Sequence, residues 1–237
     1  MNAIKKNIPN AITCLNLLFG CIAVVFIFKN RLSDASWMIV FAGIADFFDG
    51  MAARALKVHS PIGKELDSLA DMVSFGVAPG MMIYQLIGTP PLNWIGLLVP
   101  IFAALRLAKF NIDTRQTFYF IGLPSPANAL LIASFPLIIA HDSYWHTVYF
   151  SNVTFTVWFF SAIAVACSAL MVSPINLFSL KIKDTSWNSN KTRYTFLILS
   201  LACFVILGYA AVPIVMLLYI ILSLMSKKSF ESPLKNE

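Results

Sequence analysis

Charge is what this chain has least of. Asp, Glu, Lys and Arg make up 12% of its 237 residues, about half their share in an ordinary soluble domain. With 59% apolar residues, there is too little polar surface to cover a water-soluble globule. Paired cysteines are also missing: Cys14, Cys21, Cys167 and Cys203 each sit in an apolar run without CxxC spacing. That excludes a disulfide framework or a zinc site and leaves them as buried small hydrophobes. No internal repeat or low-complexity tract is present. A cleavable leader is not read either. Lys5 and Lys6 precede an apolar run from Ala11 to Phe28, but that run is long enough to span, contains Asn16 and lacks a small-x-small cleavage site. The net charge of +6 is split among short segments between apolar runs, which argues for membrane topology and against a nucleic-acid stripe.

What is present is a series of apolar runs of membrane-spanning length. They cover about 11–28, 35–56, 67–87, 92–110, 120–140, 153–172, 193–208 and 210–225. The last two are nearly continuous, but one helix over 193–225 would be about 50 Å long against a ~30 Å hydrocarbon core. Gly208 and Pro213 supply a break, so two helices are expected. With eight spans and the N-terminus inside, the inner segments hold fifteen Lys and Arg residues and the outer loops only Lys29 and Arg31. The sequence thus predicts an all-α, polytopic helical bundle with both termini cytoplasmic. It forms one membrane domain, 1–237, with a catalytic core of about 8–175, two extra helices at 193–225 and a loose tail at 226–237.

Four aspartates interrupt this apolar pattern. Asp46 and Asp49 lie three apart near the end of the second run, and Gly50 and Ala53 continue their helical face. Gly63, Asp67 and Asp71 recur every four residues on the third. Carboxylates facing each other near a membrane repel and resist desolvation. Divalent cations are the economical remedy. Two metals would also clamp a phosphoryl centre during in-line displacement, and Arg54 adds a fixed charge for phosphate oxygens. The whole pattern is DxxDGxxARx8GxxxDxxxD. A chance match in one window is on the order of 10⁻¹⁰ at about 6% per position.

The segment Asp46–Asp71 resembles the signature of the CDP-alcohol phosphatidyltransferase family at every fixed position. That resemblance implies an integral-membrane helical bundle, a divalent-metal requirement (two ions, Mg²⁺ or Mn²⁺) and transfer of a phosphatidyl group from a CDP-linked lipid to an alcohol. It implies that Asp46, Asp49, Asp67 and Asp71 hold the metals and that Asp71 also accepts the proton of the incoming hydroxyl. Pro9, Asn10, Thr13, Gly50, Ala53, Arg54, Ser60, Gly63 and Lys64 become contacts of the CDP-lipid. The resemblance implies a homodimer as well, and the charge bias places the site at the cytoplasmic face of the cell (inner or cytoplasmic) membrane.

The core signature does not choose the alcohol. The stretches GKELDSLADMVSFGVAPG from Gly63, RLAKFN from Arg106 and GLPSPANA from Gly122 resemble the phosphatidylserine-forming branch, whose donor is CDP-diacylglycerol and whose acceptor is L-serine. Arg106, Lys109 and Asn111 can hold a carboxylate; inner-loop topology and interfacial snorkelling explain them equally well. Ser125 and Asn128 can face the site, or Ser125 can cap a helix. His59 reads as a solvated loop residue, His141 and His146 as outer-loop residues. Trp94, Trp145 and Trp187 read as interfacial anchors. Two rivals stand beside this: another acceptor, such as glycerol 3-phosphate or an inositol phosphate, and a cation-coupled transporter using the carboxylates as an ion site.

Overall fold

A computed structural model describes residues 3–58, 60–113, 119–141, 150–178 and 187–225. His59, Trp145, His146 and the tail from Ser226 lie outside the described residues, as do Arg115, Lys181, Lys183, Lys227, Lys228 and Lys235 of the charge argument. The chain is an all-α membrane protein. Helix α1 runs Ala3–Phe28, α2 Leu32–Leu56, α3 Pro61–Asp71, α4 Ala78–Ile87 and α5 Leu98–Ile112. After them come α6 Ser125–His141, α7 Val153–Val172, α8 Trp187–Leu207 and α9 Ala211–Met225. A π-turn over Met72–Val77 joins α3 to α4 in one rod, and a 3₁₀ segment at Leu92–Leu97 leads into α5.

Among the described residues, five segments are long and apolar enough to cross a membrane: Asn7–Phe28, Pro61–Ile87, Leu92–Ile112, Val153–Val172 and Asn190–Met225. Helix α2, which carries Asp34, Asp46, Asp49 and Arg54, is not one of them, and α6 is a shorter apolar helix of 17 residues. The break expected near Gly208 is present. A 3₁₀ turn at Gly208–Ala210, with Gly208 at φ +54°, separates α8 from α9. The ring of Phe196 on α8 lies 5.7 Å from that of Tyr219 on α9. Phe196 lies twelve residues before Gly208 and Tyr219 nine after Ala210, and rings so placed can meet only if the two helices fold back as a hairpin.

Local chemistry explains where several elements differ from the sequence expectation. The third run begins at Pro61 rather than 67 because Ser60 caps it, its Oγ accepting from the Gly63 N–H at 3.0 Å, and Pro61 fills the first turn where no donor is needed. Helix α2 ends at Lys57, which takes a left-handed conformation at φ +53° and returns its N–H to the last carbonyls. The run expected at 120–140 instead opens with a strand, β1 Tyr119–Ile121, before α6. This strand pairs antiparallel with β2 Asn176–Phe178, with Phe120 opposite Leu177.

The core surrounds the α3–α4 rod. Phe75, Ala78, Met82 and Ile83 are fully buried against Ala23 of α1, Ile39 and Ala42 of α2, Val99 and Ala103 of α5, and Phe160 and Ala164 of α7. Small residues permit this density: a Cβ on Gly96 would lie 2.7 Å from the Tyr84 nitrogen and 2.8 Å from the Gly80 carbonyl. The cysteine expectation holds only for Cys167. Cys14 and Cys21 are exposed on α1 and Cys203 is half-buried, all four free; in a bundle of this kind outward faces are as apolar as the core, so an apolar run does not report burial.

Candidate metal and phosphoryl-transfer site

The site is assembled at one end of the bundle, where α1 and α3 begin and α2 and α5 end. Asp46 and Asp49 arrive from the last turns of α2, Asp67 and Asp71 from the facing side of α3. Asp46, Asp49 and Asp67 each offer a carboxylate oxygen within 4.8 Å of the others. Asp71, 9% exposed at the junction with the π-turn, interacts electrostatically with all three. An all-oxygen donor set of this size suits a hard divalent cation such as Mg²⁺ or Mn²⁺. The residues present therefore fit the metal that the aspartate spacing implied.

Two polar residues of α1 hold the carboxylates. The Thr13 hydroxyl donates to Asp49 Oδ2 at 2.7 Å and lies 3.0 Å from the Pro9 carbonyl, a second acceptor. Asn16 donates from Nδ2 to Asp71 Oδ1 at 3.2 Å. A fixed cation approaches from α5: the Arg106 guanidinium, 8% exposed, interacts electrostatically with Asp71. Its Nη1 donates to Ser125 Oγ at 2.8 Å, at the start of α6, while its buried Nε has no protein partner.

Beside the aspartates opens a cavity of about 540 Å³ lined by Asp49 and Asp67. Its wall also contains Pro9, Asn10, Thr13, Gly50, Ala53, Ser60, Gly63 and Lys64. Eight of the nine residues expected around the nucleotide lipid thus share one wall. The ninth, Arg54, is exposed in the last turn of α2, and its guanidinium reaches to 3.5 Å from where a Gly50 Cβ would stand. Gly63 is needed for close approach: a Cβ there would sit 2.9 Å from both Asn10 Oδ1 and Ser60 Oγ.

The residues expected around the acceptor do not form one group. Arg106 and Lys109 line a second cavity of about 500 Å³, with Phe110, Asp113, Met171 and Ser173. Ser125 is fully buried and serves Arg106. Asn111 lines neither cavity; its amide donates to Ser68 Oγ at 2.8 Å, and its main-chain carbonyl accepts from Lys64 Nζ at 2.9 Å. These two bonds tie the end of α5 to α3 between the cavities. Asn128 is buried, with its amide against Met171 Sδ. Asn16 and Ser68 escaped sequence reasoning as site residues. Asn16 carried a signal, because it is a polar residue in an apolar run, three positions after Thr13 on the same helical face.

Comparison with known proteins adds an independent line. The model of the CDP-alcohol phosphatidyltransferase family matches residues 6–158. The CDP-diacylglycerol–serine O-phosphatidyltransferase of Mycobacterium leprae is 34% identical over 178 residues, 71% of this chain and 57% of that protein. The Mycobacterium bovis protein of that name is 31% identical over 222 residues, 90% of this chain and 75% of its own. That of Bacillus subtilis is 41% identical over 142 residues, 56% of this chain and 80% of its own.

Proposed function

The chain belongs to the CDP-alcohol phosphatidyltransferase family, and from that premise we propose that it transfers the phosphatidyl group of CDP-diacylglycerol to L-serine, giving phosphatidylserine and CMP. The observation that carries this reading is the convergence of Asp46, Asp49 and Asp67 within 4.8 Å of one another, beside Asp71 and a cavity of nucleotide size. The names of the relatives favour serine over phosphorylated alcohols. So does the scarcity of buried positive charge: among the described residues Arg106 is the one buried Lys or Arg.

In this mechanism CDP-diacylglycerol occupies the cavity behind Asp49, with Asn10, Ser60 and Lys64 around its polar head and Gly50 and Gly63 leaving room for it. Arg54, at the rim, faces its phosphates. Arg106 and Lys109 hold the serine carboxylate, and Ser125 fixes the Arg106 guanidinium. Asp71 removes the proton from the serine hydroxyl as that oxygen bonds to the β-phosphorus. The anhydride bond to CMP breaks, and its electrons leave on the CMP phosphate. Asp46, Asp49, Asp67 and Asp71 would hold the divalent metal, two ions of Mg²⁺ or Mn²⁺, which would supply positive charge to offset the carboxylates and the charge developing on the CMP phosphate.

The topology belongs to the same proposal: eight spans, both termini cytoplasmic, and the site at the cytoplasmic face of the cell membrane. In support, Arg54, Lys57, Lys64 and Lys109 lie at the same end of the bundle as the aspartates, and Lys29 and Arg31 at the other. The lipid then enters sideways from the bilayer while serine and CMP exchange with water. A catalytic unit of about 8–175, followed by a C-terminal hairpin, is proposed likewise, and a homodimer rests on the family. The test is CMP release by purified protein from CDP-diacylglycerol with single added alcohols, with and without Mn²⁺ or Mg²⁺. Metal-dependent release with L-serine alone is expected. Release with glycerol 3-phosphate instead would move the acceptor, and none with any alcohol would favour an ion-coupled transporter.

A further inference from the structure

We infer that Asn16 is a positioning residue for Asp71, held in place by a clamp between α1 and the π-turn that follows Asp71. Three contacts carry this. The Asn16 amide donates to Asp71 Oδ1 at 3.2 Å, and Asn16 is fully buried. Its main-chain carbonyl accepts from Ser74 Oγ at 3.0 Å, inside the π-turn three residues after Asp71. One turn further along α1, Gly20 lies so close to Ser74 that a Cβ there would collide with Ser74 Oγ and reach 2.9 Å from its Cα. A π-turn admits an extra residue per turn, so the rotation between Asp71 and the rest of the rod depends on how this turn is gripped. Asn16 thereby fixes one oxygen of Asp71 from the α1 side.

The Oδ1 of Asn16 is buried without a partner. A side chain kept for stability alone would not leave an acceptor unsatisfied, since that costs free energy that an apolar side chain of equal volume avoids. Asn16 is thus retained for its donor, at a cost to the fold. The inference rests on Asp71 as the proton acceptor in the proposed reaction, and CMP release by the unaltered protein tests that separately.

The experiment compares Asn16→Leu and Asn16→Asp with the parent protein, measuring kcat, both KM values and the thermal midpoint with and without Mn²⁺. Asn16→Leu is expected to lower kcat about 10–100-fold, the scale of a misplaced reacting group. Both KM values should stay within about twofold, the midpoint should be unchanged or higher, and its rise on adding Mn²⁺ should persist. Asn16→Asp keeps the shape but replaces the donor, and should lose at least as much. Unchanged kcat in either variant overturns the inference. So does a parallel fall of kcat and midpoint, which marks a structural role, or a rise in the serine KM alone, which marks a substrate contact. Loss of the Mn²⁺ response overturns it too. If the parent protein releases no CMP with any alcohol, the inference falls together with the reaction.

Discussion

The rod Pro61–Ile87 and the hairpin Asn190–Met225 are both apolar enough to cross a membrane, yet they are opposites. The rod is the least apolar of the five candidate segments and the most enclosed, with 61% of its apolar stretch buried; the hairpin is the most apolar and only 11% buried. In water, apolarity and burial rise together. In lipid they separate, because hydrocarbon tails satisfy a leucine as well as a neighbouring helix does. Leu201, Val205 and Ile206 on α8 are more than 60% exposed, and their likeness to lipid is their role. Polar residues have to be enclosed, so the helix that looks least like a membrane helix carries the chemistry.

Substitutions in the rod should therefore be costly and those in the hairpin mild. Asp71→Asn keeps shape and burial but removes the proton acceptor, so CMP release with L-serine should fall about 10²–10⁴-fold with thermal stability retained. Activity within tenfold of the parent would remove Asp71 from the mechanism. Gly20→Ala comes next. Its methyl group has to displace Ser74 from its place against α1, which overpacks the junction at about 1–3 kcal/mol. The drop should show in the thermal midpoint and shrink when Ser74→Ala is added. Arg106→Lys is smaller again: a point charge replaces a guanidinium anchored on Ser125, and the serine KM should rise about tenfold with kcat little changed. A change in the KM for CDP-diacylglycerol instead would place Arg106 on the other substrate.

The same contrast explains what could be read from the sequence. Asp46, Asp49, Asp67 and Asp71 stood out because their cost in a membrane has few explanations and their spacing puts them on facing stripes. The break at Gly208 was legible because a single helix would have been too long. The π-turn was not. Met72–Val77 has no Pro or charge to mark it, and its register is set by Ser74 reaching α1, a contact 58 positions away in sequence. The pairing of β1 with β2 was equally hidden, since three-residue strands are too short to show alternation. Asn111 was misleading in another way. It sits beside Arg106 and Lys109 in sequence, but on a helix a displacement of two residues turns it away, here toward Ser68.

The smallest effect tests whether the hairpin is truly separate. Two hydrogen bonds join it to β2: Tyr219 donates to the Phe178 carbonyl at 2.9 Å, and the Phe178 N–H donates to Ser223 Oγ at 3.4 Å. Strand β2 in turn pairs with β1, which leads by way of Gly122 into Ser125 and so to Arg106. A mechanical path from hairpin to acceptor cavity therefore exists. Tyr219→Phe deletes its first link while keeping the ring packing with Phe178 and Phe196. One hydrogen bond of this kind contributes about 0.5–1.5 kcal/mol, so the thermal midpoint should fall slightly and the serine KM should not move. A rise in that KM at constant kcat would show that the hairpin positions Arg106 through the strand pair, and the least buried part of the molecule would then belong to its site.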